Sequence, residues 1–428
     1  MDKVISRRGL IGGLAAAGAA AVLPRTALAR GGQLYPRTHA FMKGFVDRRE
    51  LAGILAAIGK GQAAPDYFGV GTLALDSATP LGPDTLWRIY SQTKPVTGIA
   101  AMLLVEEGKI KLDQPIADFL PAFANMKVLN TPGGSITDVR PARRPITVRQ
   151  LITHSSGIGM AALEKGPLPD AYDEAGITDG RLSRQPIPGF KMGPPAPGLT
   201  VMVDRLATLP LFYEPGSKWL YSVGLAVMGR VIEVVTGQPF DAFLKARIFD
   251  PLGMKSTGFR VAAADVPRLS TNYALIDGVL SPIDRAATSV FLDPPAAPYG
   301  GGGLVSSARD YDRFLAMLLG EGRIGGAGGV SIMKPETARL AMSNLLEDSV
   351  VRKGTLIEGW GAGAGGRVSL PGSMTGEGVF GWGGAAGTTG FIDRKRGYRV
   401  GAYTQALPPA ALSFQGKFGE TFYKDVMA

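Results

Sequence analysis

Segments with strand character lie toward both ends of this chain and helical ones lie between them, so any sheet must join residues far apart in sequence. Phe68 to Leu75 and Thr85 to Ile89 are short strand-like runs bounded by turn formers. Gly359 to Gly366, Phe380 to Phe391 and Tyr398 to Gln405 have the composition of antiparallel strands joined by tight turns. From Leu112 to about Pro298 there are few strands and several helical pieces, the clearest being Val148 to Thr153, Tyr221 to Thr236 and Pro239 to Ile248. This order implies an α+β fold: an antiparallel sheet flanked by helices, made from residues 30–100 and 299–428, with a mainly helical lobe, 101–298, inserted between them.

Apolar spacing predicts the remaining helices. Thr38 to Gly59 reads as amphipathic, with Phe41, Phe45, Ile54 and Ile58 inward. Ser91 to Glu107 carries Val96, Ile99, Ala100, Leu103 and Leu104 on an apolar face. Ala308 to Leu319 has Ser307 as its N-cap and would bury Tyr311, Phe314, Leu315 and Leu318. Ser413 to Met427 repeats Phe414, Phe418 and Phe422 at fourfold spacing. The loops Pro186 to Pro197 and Pro282 to Pro298 are rich in proline or glycine and could shape a pocket. Gly300 to Gly303 is no phosphate loop, because no Gly-Lys-Ser/Thr follows.

Composition removes whole classes of chemistry. The 428 residues contain no cysteine, so disulfides, thiol catalysis and thiolate zinc sites are excluded. His39 and His154 are the only histidines, too few for a multi-histidine metal centre. A hydrolase built on this chain must activate its nucleophile another way, and no metal or organic cofactor is implied. The first 29 residues hold a net +3 of the chain's +10, leaving +7 dispersed over the remainder, with Arg143-Arg144 and Arg394-Lys395-Arg396 as the densest basic spots. Such short runs are solvated turns, and no nucleic-acid partner is expected.

Residues 1–29 have the layout of an export signal. Arg7-Arg8 precede a small-residue apolar run through Leu23, and Ala27-Leu28-Ala29 supplies the cleavage pattern. The paired arginines resemble a twin-arginine leader, which implies the matching export machinery as a partner and a periplasmic or secreted mature protein. No later stretch is long and apolar enough to span a bilayer.

Tyr90-Ser91-Gln92-Thr93-Lys94 places S-x-x-K at the start of a predicted helix. Three residues is about one turn, so Ser91 and Lys94 share a face, and the free N–H groups of a helix start favour developing negative charge. A serine hydroxyl is a poor nucleophile until a base receives its proton. Alone, the spacing also fits a helix cap beside a solvated lysine; its place between a strand and an apolar helix suits a nucleophile.

Ser91-Gln92-Thr93-Lys94, Tyr221-Ser222-Val223 and Trp382-Gly383-Gly384 resemble, in order and spacing, the three motifs of the serine beta-lactamase-like family, especially its class C-related carboxylesterases, the family VIII esterases. Leu112 to Ile116, Ile146 to Gly157 and Pro251 to Met254 extend the likeness over most of the chain after about Ala63. The resemblance implies a beta-lactamase/penicillin-binding-protein-like fold and a catalytic set of Ser91, Lys94 and Tyr221. Tyr221 would be general base or proton relay with Lys94 as its partner, the path between them left open. The backbone N–H groups of Ser91 and Ala385 would form the oxyanion hole, and Trp382, Gly383 and Gly384 would wall the substrate pocket.

Two departures bear on substrate. Trp382 stands where beta-lactamases carry a basic residue, and Val223 where they carry asparagine, so the partners of a beta-lactam's carboxylate and amide are missing. An apolar wall fits a neutral, small or short-chain ester. The alternatives are a beta-lactamase or D-amino-acid peptidase, and a non-catalytic exported protein that binds cell-wall peptides. His154 is read as structural, since no G-x-S-x-G elbow is present, and His39 has less claim still.

Overall fold

Gly53 to Lys60 is an almost uninterrupted apolar run, and it forms a central strand of the sheet. The computed structural model describes residues 31–188, 193–326, 328–373, 375–408 and 410–427; the expected leader at 1–29 and the middle of the 186–197 loop lie outside the described residues. The single helix expected from Thr38 to Gly59 is corrected: the helix is Pro36–Asp47, and the chain turns at Arg49, whose φ is 57°, before entering the strand. Ile54 and Ile58 are four apart and satisfy either period. Period two decides, because Ile54, Ala56 and Ile58 bury into one layer while Leu55 and Ala57 bury into the other.

Seven strands make the sheet in the order Trp360–Ala362, Arg367–Ser369, Val379–Gly383, Thr389–Asp393, Tyr398–Tyr403, Gly53–Lys60 and Asp66–Gly71, each antiparallel to its neighbour. Joining Gly53–Lys60 to Tyr398–Tyr403 closes the two ends of the chain into one layer. On one face lie the helices Pro36–Asp47 and Ala410–Val426, with Phe414, Phe418 and Phe422 fully buried. Each such ring contributes about 1.5–3 kcal/mol by leaving water. The Ala308–Leu319 helix packs on the other face, and Ser307 Oγ caps it by accepting from the Asp310 amide at 3.1 Å. Against the outer side of the same core runs the Thr93–Glu106 helix, apolar nearly all round because it is buried on every side.

The middle of the chain holds more β-structure than its composition suggested. Lys127–Leu129 pairs with Val139–Pro141, and Asn272–Ile276 forms a hairpin with Val279–Asp284. The second hairpin turns at Asp277-Gly278 with φ of 48° and 77°, left-handed at both positions as a two-residue turn between twisted strands requires. That dipeptide was the available signal; Pro282 inside the second strand obscured it. Leu86–Arg88 pairs with Val305–Ser307 instead of joining the large sheet. Buried Arg88 reaches back to Asp284 at 2.6 Å, tying the hairpin to the strand that leads into Ser91. Among the described residues no helix is long and apolar enough to cross a membrane.

Candidate active site

Ser91 sits in a single 3-10 turn, Tyr90–Gln92, that feeds the Thr93–Glu106 helix. Tyr90 has φ of 41°, a costly value for a bulky residue. Its buried hydroxyl accepts from Asn272 Nδ2 at 2.9 Å, so the missed hairpin holds the turn from outside. Pro95 is the third residue of the helix, where its missing N–H removes no intrahelical bond.

Lys94 is fully buried, and its Nζ lies 3.3 Å from Ser91 Oγ, 2.9 Å from Asp179 Oδ2 and 2.6 Å from the Gly301 carbonyl. Burial pulls the ammonium's pKa down, but the Asp179 charge and Tyr221 outweigh it, and the pKa stands above the usual lysine value. Burial likewise pushes the Asp179 carboxyl up, more than Lys94 draws it down. Asp179 comes from a loop with no sequence motif, and among the described residues its buried Oδ1 meets no donor at bonding geometry. The glycine tract now has a reason. A Cβ on Gly301 would overlap the Asp179 carboxylate, and one on Gly302 the Asp179 carbonyl oxygen, so only glycine lets this backbone reach both Lys94 and Asp179.

Tyr221 lies in an irregular segment just before the Gly224–Thr236 helix, which starts three residues later than expected because Ser222 Oγ accepts from the Gly224 amide. Lys94 Nζ stands 4.6 Å from the centre of the Tyr221 ring. On its other flank the ring stacks on Trp382 at 5.8 Å and 14°. Behind it is His154, at φ 59°, with ring centres 4.9 Å apart and Nδ1 2.8 Å from Ser222 Oγ. Burial and the Lys94 charge hold His154 well below the ordinary histidine pKa, so it stays neutral. Its contacts are those of a support behind the tyrosine. His39 packs by Phe68 on the far layer.

Trp382 and Gly383 end the Val379–Gly383 strand. At Gly384 a Cβ would overlap the Ile89 carbonyl, so the next residue, exposed Ala385, is delivered beside the Ser91 turn. Gln415 Nε2, from the Ala410–Val426 helix, donates to the Gly384 and Thr388 carbonyls at 2.8 and 2.7 Å and clamps that bend. Among the described residues, no backbone carbonyl accepts from the Ser91 or Ala385 amide, leaving both donors available. The structure thus brings Ser91, Lys94, Tyr221, Trp382, Gly383, Gly384 and Ala385 to one place. To these it adds Asp179, Gly301 and Gln415, none of which carried a motif.

The beta-lactamase family profile matches residues 39–417, and the chain belongs to that family. Within it the chain stands among the beta-lactamase-like carboxylesterases. It is 31% identical to Esterase EstB of Burkholderia gladioli over 373 residues, covering 82% of this chain and 85% of that one. With the lovastatin esterase of Penicillium rubens it shares 31% identity over 380 residues, 84% of this chain and 89% of the other. The solved structure of EstCE1, described as a hydrolase with promiscuous acyltransferase activity, superposes with a TM-score of 0.74 at 25% identity, over 94% of this chain and all of its own.

Proposed function

We propose that this protein hydrolyses small or short-chain carboxylic esters through an acyl-enzyme on Ser91. Ser91 Oγ attacks the ester carbonyl while the Lys94/Tyr221 pair takes its proton, and the tetrahedral oxyanion rests on the Ser91 and Ala385 amides. Collapse breaks the bond to the alcohol, which takes the proton and leaves. Water, activated by the same pair, then releases the acid. The observation that carries this reading is the buried Lys94 ammonium, 3.3 Å from Ser91 Oγ and against the Tyr221 ring. Trp382, stacked on Tyr221, supports an uncharged substrate, since it offers no cation to a carboxylate. The esterase relatives support the same choice over a beta-lactamase.

The test compares the mature protein with S91A on short- and long-acyl chromogenic esters and a chromogenic cephalosporin. The expected result is short-ester turnover that S91A abolishes. Preferred turnover of the cephalosporin would move the assignment to a beta-lactamase, and activity surviving in S91A would remove Ser91 as the nucleophile.

We also propose that residues 1–29 act as a twin-arginine leader and that the mature protein is periplasmic or secreted. Replacing both Arg7 and Arg8 with lysine should retain the precursor in the cytoplasm, as read by cell fractionation.

A further inference from the structure

Two protonation states fit the distances around Lys94. An ammonium donates to all three of Ser91 Oγ, Asp179 Oδ2 and the Gly301 carbonyl. A neutral amine donates to Asp179 and Gly301 and turns its lone pair to Ser91, ready to take the proton itself. What separates them is the charge of Asp179, 2.9 Å away and nearly excluded from water, where an ion pair acts with little screening. The chain is shaped around this contact: Gly301 and Gly302 lack side chains where Asp179 enters, and Arg181 pins the Asp179 loop by donating to the carbonyls of Phe259, Val290 and Asp293.

We propose that Asp179 is a positioning residue that keeps Lys94 an ammonium during acylation, so that the Ser91 proton goes to the Tyr221 oxygen and not to the lysine. This rests on the ester-hydrolysis reading above. As the Ser91 O–H bond breaks, its proton moves to the Tyr221 oxygen and the Oγ–carbon bond forms. The carbonyl π pair moves onto the oxyanion. On collapse the bond to the leaving alkoxide breaks, and that alkoxide takes the proton from Tyr221, so the balance closes without a further reactant. The groups facing Lys94 are Ser91 on its own turn, Asp179, the Gly301 carbonyl and Tyr221, with His154 behind Tyr221 and Tyr299 and Arg181 around Asp179. His154 is held neutral and does not compete.

The experiment measures the pH dependence of Ser91 labelling by a p-nitrophenyl alkylphosphonate in the full protein, D179N and D179E. In the parent the labelling rate should hold through the ordinary lysine range. In D179N only Tyr221 still opposes burial at Lys94, and a new alkaline inflection should appear below that range, with labelling at least tenfold slower above it. D179E keeps the charge and should move the inflection back toward the parent. A D179N profile with the parent's inflections, scaled or not, would reduce Asp179 to a structural part. A rate that rises through the new inflection would make neutral Lys94 the base and overturn the proposal. If D179N does not fold, G301A, whose methyl displaces the carboxylate, should show the same inflection, and its absence would count against Asp179. Labelling that persists in S91A would instead defeat the underlying mechanism, whatever D179N does.

Discussion

Two buried ion pairs lie within a few residues of Ser91, and they are finished differently. Arg88 donates to Asp284 Oδ2, the Asp284 and Ser270 carbonyls, Gln405 Oε1 and Ser289 Oγ, while Asp284 Oδ1 accepts from the Val290 amide. Every arm of that pair is spent inside the protein. Lys94 and Asp179 are almost as dry, yet among the described residues Asp179 Oδ1 meets no donor at bonding geometry, and one lysine contact goes to Ser91 Oγ at a long 3.3 Å. A closed network stiffens the scaffold, whereas an open one keeps bonding capacity for a reaction. The cations differ too, because arginine cannot shed its proton in a protein and a buried lysine can.

The largest effect expected from this contrast is on stability. D284A leaves Arg88 charged and unpaired, at a cost of about 3–5 kcal/mol, read by denaturant unfolding, while turnover per titrated site in the folded fraction stays at the parent level. D179A should lose clearly less stability, since Lys94 can discharge, and lose ester kcat/KM instead. Equal stability losses would break the comparison. Next comes G384A, whose methyl overlaps the Ile89 carbonyl and pushes Ala385 off the oxyanion position; kcat per titrated site should fall about 10²-fold. S307A, which removes the cap of the Ala308–Leu319 helix, should cost about 1 kcal/mol and leave kcat unchanged.

The smallest effect is on pH dependence. The folded pKa of Lys94 is raised above its unfolded value, so its contribution to stability is full below the ordinary lysine range and is lost as pH climbs through the raised value. The Tm gap between the parent and D179A should therefore be steady near neutrality and narrow at alkaline pH. The gap to D284A, resting on an arginine, should not follow it.

What was legible in the sequence was local. Ser91 and Lys94 are one turn apart, and Ser307 with Asp310 marks the start of the Ala308–Leu319 helix, because capping and helical spacing act over three or four residues. Gly53–Lys60 was misread because isoleucines at 54 and 58 serve both periods, and only pairing with Tyr398–Tyr403 selects one. The Asp277-Gly278 hairpin had a signal that Pro282 masked. Asp179 had none: a carboxylate in a Thr-Asp-Gly loop looks solvated until the fold buries it against a lysine 85 positions away.

By itself the sequence determined the setting of Ser91 and Lys94, the apolar periods of the helices around them and the absence of thiols, since each follows from residues that are neighbours or from composition. The tertiary structure decided which side chains share the low-dielectric space around Lys94. It set Asp179 and Gly301 on one side and Tyr221, backed by Trp382 and His154, on the other. The charge a buried lysine keeps depends on what surrounds it at a few ångströms, and that distance is a property of the folded chain.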